Sequence, residues 1–153
     1  VSSEDKARAA RAAGCDFVVV GRDYRFAAAV HEASGGRGAD VIYDGLGEAA
    51  ARENLEALAL CGHWVCYGHA SGPIERLRVE ELGAKSVTFS SPVLFHHTAD
   101  RAVLTDMASR TFGALRQGTI RLDIRHRYPL TAAAQAHRDL ESRTTIGPLI
   151  LLP

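Results

Sequence analysis

Three short runs of small and polar residues each follow an apolar stretch, and they carry most of the chemistry this sequence offers. Asp44-Gly45-Leu46-Gly47 follows Val41-Ile42-Tyr43, Tyr67-Gly68-His69-Ala70 follows His63-Trp64-Val65-Cys66, and Ser90-Ser91-Pro92 follows Val87-Thr88-Phe89. Glycine has no Cβ, so a flat ligand can lie directly against its backbone. The same glycines would also serve simply to end strands, and their return at successive strand ends turns the reading toward a ligand. A fourth group stands at the start of the chain. Ser2, Ser3 and Lys6 offer hydroxyls, the unpaired N–H groups of a helix beginning, and a cation, a set suited to a phosphate dianion. Glu4 and Asp5 work against an anion unless their side chains point away, and a capped helix with a solvated lysine is the plainer alternative.

Other chemistries are less well provided for. Cys15, Cys61 and Cys66 are odd in number and form no Cys-x-x-Cys pair, which points to free thiols in a reducing cytosol. The seven histidines are scattered, and His96-His97 are adjacent rather than at helical ligand spacing, so no zinc site is expected. Asp44, Tyr67 and His69 could move protons, but each has a simple structural role, at a strand end, in packing and in a loop. No catalytic residue is assigned. The sequence has no Gly-x-Gly-x-x-Gly, and Gly35-Gly36-Arg37-Gly38 follows a helix rather than a strand, so it cannot serve as that phosphate-cradling fingerprint.

The elements that must position these groups alternate. Ser2 and Ser3 precede an Ala-rich helix stopped by Gly14, with acids in its first turn. Phe17-Val18-Val19-Val20 reads as a strand, residues 24–34 as a helix, residues 40–44 as a strand and residues 48–60 as a helix with Leu55, Leu58 and Ala59 inward. Strands follow at 63–68 and 86–90, with a helical turn near 79–82 between them. A long helix covers about 100–117 before Gly118, 122–126 is extended, Thr131 caps a helix to about Ser142, and Leu149-Ile150-Leu151-Leu152 is a last strand. Apolar strands alternating with helices predict an α/β fold, a doubly wound parallel sheet covered on both faces. In such sheets ligands gather beyond the carboxyl ends of the strands, where three of the four groups lie.

The bulk properties agree. One domain of 153 residues can build a core, and 46% hydrophobic with 24% charged residues is a globular balance. A formal net charge of zero gives no basic excess for nucleic acid or an anionic membrane. No apolar run approaches the roughly 20 residues that span a bilayer. The beginning, Val-Ser-Ser-Glu-Asp-Lys, has neither an apolar leader nor an initiator Met, and reads as the interior of a longer chain.

The order of segments resembles the zeta-crystallin-like quinone oxidoreductases, zinc-free members of the medium-chain dehydrogenase/reductase superfamily, over essentially the whole length. The resemblance rests on Ser3-Glu4-Asp5-Lys6, Ala13-Gly14-Cys15-Asp16, and the run from Gly38-Ala39-Asp40-Val41 through Tyr43-Asp44-Gly45-Leu46-Gly47. It continues in Gly62-His63-Trp64-Val65-Cys66-Tyr67-Gly68, Ala70-Ser71-Gly72 and Lys85-Ser86-Val87-Thr88-Phe89 with Pro92. It closes on Tyr128-Pro129-Leu130, His137 and Leu140-Glu141-Ser142-Arg143 with Gly147. Set against that family, the chain starts after the second strand of a Rossmann-like nucleotide domain and lacks its first strand–helix unit. Residues 1–121 are then a partial dinucleotide-binding domain, and residues 122–153 resemble the part that returns to a preceding catalytic domain.

The resemblance implies NADPH as cofactor, with Ser3 and Lys6 at the adenosine 2′-phosphate and Gly45, Leu46 and Gly47 along the cofactor. Tyr67 and Gly68 would lie near the nicotinamide half, Ser91, Pro92 and Val93 near its amide, and Arg143 would approach from the C-terminal side. It implies hydride transfer to a small quinone or α,β-unsaturated carbonyl, a cytoplasmic protein, and a homodimer joined through the edge strand at about 86–94, which also protects an apolar edge. Three positions depart from the family pattern. Gly21 stands where relatives carry an adenine-stacking tyrosine, Gly45 replaces a common serine, and His69 replaces a polar amide or alanine. A non-catalytic nucleotide-fold module and an enoyl-reductase part of a larger synthase remain open beside this reading.

Overall fold

Ser3 begins the first helix as the spacing predicts. Its Oγ accepts the backbone N–H of Lys6 at 3.4 Å, and α1 runs Glu4–Ala12 until Gly14, at φ +103°, turns the chain away. The computed structural model describes residues 1–142 and 145–153 and divides into two compact units, Val1–Ala99 and Asp100–Pro153.

In the first unit the predicted strand at Phe17-Val18-Val19-Val20 is extended but forms no regular strand. Its partner is the single residue Val1, whose amino group donates to Val19 O at 2.7 Å and whose carbonyl accepts from Gly21 N–H at 2.9 Å. The helix predicted at 24–34 is shorter, α2 at Ala27–Ala33, because Tyr24 sits in the left-handed region at φ 57°. Strand β1 is Ala39–Asp44, and α3 is Glu48–Ala57, three residues shorter than its apolar pattern suggests. Leu58-Ala59-Leu60 instead opens β2, Leu58–Cys66. After α4, Val79–Gly83, residue Ser86 at φ 53° delays the next strand, so β3 is only Thr88–Ser90. A helical turn absent from the sequence reading, α5 at Leu94–His97, follows.

β1, β2 and β3 form a parallel sheet in that order, with Ile42 beside Trp64 and Trp64 beside Phe89. Side chains alternate across a strand, so Ile42, Asp44, Trp64, Cys66 and Phe89 share the face that α3 covers. The core there is Trp64, Leu58 and Cys66, joined by Ile42, Leu55 and Val87, with Phe89 meeting Trp64 edge-to-face at 5.0 Å. On the other face of the sheet Val41 and Tyr43 are exposed, Tyr43 by 75%.

In the second unit Asp100 Oδ1 accepts from Ala102 and Val103 N–H, at 2.7 and 3.1 Å, and starts α6, Arg101–Arg116. The extended segment expected at 122–126 becomes regular only at β4, His126–Pro129, because that is the stretch opposite the four residues of β5, Leu149–Leu152. The pair is parallel, connected through α7, Ala133–Glu141. Thr131 does not cap α7; it lies in a tight turn, Leu130–Ala132, and the helix starts without a side-chain cap.

Candidate functional site

The parallel register brings the carboxyl ends of β1, β2 and β3 side by side, and Asp44 organises the first of them. Asp44 is buried at 4% exposure and accepts four hydrogen bonds. Oδ1 takes the N–H of Leu46 at 2.7 Å and of Gly47 at 3.2 Å, and Oδ2 takes Asn54 Nδ2 at 2.9 Å and Trp64 Nε1 at 3.2 Å. One carboxylate therefore ties the Gly45-Leu46-Gly47 turn to α3 and to the core of β2.

The turns after β1 and β2 lock together through their main chains. Tyr67 N–H donates to Asp44 O at 2.9 Å, Ala70 N–H to Gly45 O at 3.1 Å, and Ser71 N–H to Leu46 O at 2.8 Å. Ser71 Oγ donates to Leu46 O at 2.6 Å and accepts from Ala49 N–H at 3.0 Å. The glycines permit this approach. A Cβ at Gly47, whose φ is +83°, would strike Gly72 O; one at Gly68 would come within 3.1 Å of Gly45 O; one at Gly45 would meet the Tyr67 ring. Close packing of the two turns thus accounts for three glycines that the sequence alone offers equally to a ligand.

The turn carries a signal that the search for Gly-x-Gly-x-x-Gly missed. Gly45-Leu46-Gly47-Glu48-Ala49-Ala50 has the alanine-ended form of that pattern, follows a strand and opens a helix, and Ala50 is buried. It is nevertheless no phosphate cradle. Its amides are taken: Leu46 and Gly47 by the Asp44 carboxylate, Glu48 by Gly72 O at 3.1 Å, and Ala49 by Ser71 Oγ. The carboxylate of Asp44 serves where a bound anion would.

What this rim offers a ligand is a preformed backbone wall with exposed side chains around it. Tyr67 and His69 are exposed, Gly45, Leu46 and Gly68 are half-buried, and Ser91, Pro92 and Val93 follow β3 at the same edge. The next residues, Leu94 and Phe95, are also exposed. His63 Nε2 lies 2.8 Å from Ser90 Oγ on the uncovered face. Cys66 Sγ, 3.9 Å from His69 Nδ1, is no ready nucleophile, since burial first and the Asp44 charge second push its thiol up.

Ser2, Ser3 and Lys6 form a separate group at the start of α1. Ser2 and Ser3 are half-buried, and the two acids beside them are engaged, Asp5 by Arg8 and Glu4 by Arg11 at 3.7 Å. Arg143 lies outside the described residues. Among the described residues no three His, Cys, Asp or Glu gather as metal ligands.

Comparison with known proteins agrees with this geometry. A family model described as zinc-binding dehydrogenase matches residues 13–151. A 2-haloacrylate reductase from a Burkholderia species is 36% identical over 155 residues, covering 100% of this chain and 46% of the relative. Among solved structures, a mycobacterial protein complexed with NADPH aligns at 36% identity with a TM-score of 0.91, covering 100% of this chain and 48% of that one. The Escherichia coli quinone oxidoreductase complexed with NADPH aligns at 31% identity with a TM-score of 0.92 and the same coverage. The chain spans about half the length of the curated relatives it matches.

Proposed function

The chain belongs to the zinc-binding dehydrogenase family, and from that premise we propose that it is the nucleotide-binding part of an oxidoreductase that uses NADPH to reduce quinones or α,β-unsaturated carbonyls. The observation that carries this reading is the whole-length backbone match to two proteins solved with NADPH, combined with the preformed rim beyond β1, β2 and β3.

NADPH, when bound, supplies a hydride from nicotinamide C4. The residues of this chain bind and orient. Ser2, Ser3 and Lys6 at the start of α1 hold the adenosine 2′-phosphate, the helix end favouring its charge. Gly45, Leu46 and Gly47 present backbone along the cofactor, held flat by Asp44. Tyr67, Gly68 and His69 face its nicotinamide half, and Ser91, Pro92 and Val93 its amide. Position and restricted water are the protein's contribution in this reading. Residues 1–121 form the nucleotide domain in this reading, and residues 122–153 return to a catalytic domain. β3 pairs on one side only, with β2, and its other edge joins a second copy in a homodimer. A cytoplasmic setting fits the three free cysteines, and no helix among the described residues is long and apolar enough to cross a membrane.

The test is acceptor-dependent NADPH oxidation by the full-length protein, with a naphthoquinone, an unsaturated ketone and a 2-haloacrylate compared. Turnover with the quinone or ketone is expected. Preference for the haloacrylate narrows the substrate to activated alkenoic acids, and the absence of turnover with all three overturns the reading.

A further inference from the structure

α2 is fastened to α3 at both of its ends by ionisable side chains. At its start, Glu53 Oε2 accepts the N–H groups of Phe26 and Ala27, each at 2.8 Å. At its far end the His31 ring reaches two main-chain carbonyls. Nδ1 lies 3.1 Å from Gly36 O and Nε2 lies 2.9 Å from Glu56 O.

A carbonyl oxygen only accepts. Neutral imidazole carries one N–H and one lone pair, so it can satisfy one of these oxygens and must turn its lone pair toward the other; imidazolium donates to both. Glu56 lies in the last turn of α3, where unpaired carbonyls and the helix dipole favour a cation. Lys85 opposes it, since its Nζ donates to the same Glu56 O at 2.8 Å as well as to Leu55 O and Leu58 O. The other charged groups nearby are occupied: the Glu56 carboxylate by Arg52 at 2.7 Å, and Arg37 by Asp40. Glu32 is the remaining charge beside His31 on α2 itself, and no carboxylate bonds the ring among the described residues.

The seat of α2 matters because Phe26 and Val30 form one wall of a depression of about 280 Å³ whose other side includes Ile42, Asp44, Gly45 and Leu46. We propose that Glu53 and His31 are positioning residues, a proton-dependent clasp that seats α2 on α3 and so sets the shape of the depression beside the Gly45–Leu46 rim. The seating of α2 stands on its own geometry; only its effect on nucleotide rests on the function proposed above.

Hydrogen–deuterium exchange of residues 27–36 in the full-length protein tests the clasp, at about pH 5.5 and about pH 8.5, on either side of the usual imidazole range and corrected for intrinsic rates. The advantage of wild type over His31→Phe is expected to be about tenfold larger at the lower pH than at the higher, where neutral imidazole keeps one of its two bonds, the size of one charge-assisted hydrogen bond. A ratio that does not change with pH overturns the clasp. His31→Gln retains one donor and guards against a variant that fails to fold. Its protection should be independent of pH, and a wild-type pH dependence in it would overturn the assignment to His31. NADPH affinity is measured at the same two pH values. A wild-type advantage over His31→Phe that is larger at the lower pH is expected, and equal affinity despite the exchange difference would sever the link to the depression. Absence of NADPH binding at either pH, with the exchange pattern intact, would sink the proposed function and leave the clasp standing.

Discussion

Asp44 shows how much of this site rests on one side chain. Sequence reading places it at a strand end and gives it no more than that, because two of its four donors, Asn54 and Trp64, come from ten and twenty residues away. Asp44→Asn keeps the shape and still accepts from Leu46 and Gly47, but its new N–H₂ faces two donors. Asn54 can turn its own amide to compensate; Trp64 Nε1 cannot. The expected cost is about 2 kcal/mol, that of a buried donor left unsatisfied, read as a lower midpoint in denaturant unfolding. An unchanged midpoint would mean that the four bonds do not hold the turn. The glycines of the same turn were legible as special residues, but their reason was not. Nothing local in Gly45-Leu46-Gly47 tells that Tyr67, His69 and Gly72 will fill the space where side chains would stand.

Elements were legible where their signals are local. The hydroxyl cap and Gly14 frame α1, and Asp100 starts α6, as the spacing predicts. They failed where a partner decides. α2 begins at Ala27, after the left-handed Tyr24, where Glu53 reaches its first amides from α3, and residues 58–60 leave the helix because β2 gains a ladder with β1. Phe17-Val18-Val19-Val20 has strand composition, and among the described residues its main-chain partner is Val1. In the second unit β4 and α7 are joined by Tyr128 Oη, which donates to Asp139 Oδ2 at 2.6 Å. This bond first, and Gln135 to a smaller degree, holds the Asp139 carboxyl below the usual range, while the same bond pushes the Tyr128 phenol up. A carboxyl depressed in the folded state stabilises above its unfolded pKa, and that contribution disappears as pH falls through the folded value. Tyr128→Phe should therefore lower the melting temperature at neutral pH and converge with wild type in acid. A difference that is constant with pH would contradict the account.

At the scale of the whole molecule, the sequence and the structure agree on a parallel α/β fold, and the family match extends over nearly all of it. The rim beyond β1, β2 and β3 is assembled from Gly45–Gly47, Tyr67–His69 and Ser91–Val93, separate segments which the order of strands brings together. The group proposed at the start of α1 is different in kind: Ser2, Ser3 and Lys6 lie close together in sequence, so their candidacy was readable without a fold. That group also carries the part of the proposed function easiest to isolate, since a 2′-phosphate is what distinguishes NADPH from NADH. The most direct measurement is the affinity of the full-length protein for both nucleotides, in wild type and in Lys6→Ala. The account predicts that wild type prefers NADPH and that the substitution weakens NADPH about tenfold, as expected for one charge-assisted contact, while NADH is nearly unchanged. Equal binding of the two nucleotides by wild type, or equal weakening of both by the substitution, would contradict it.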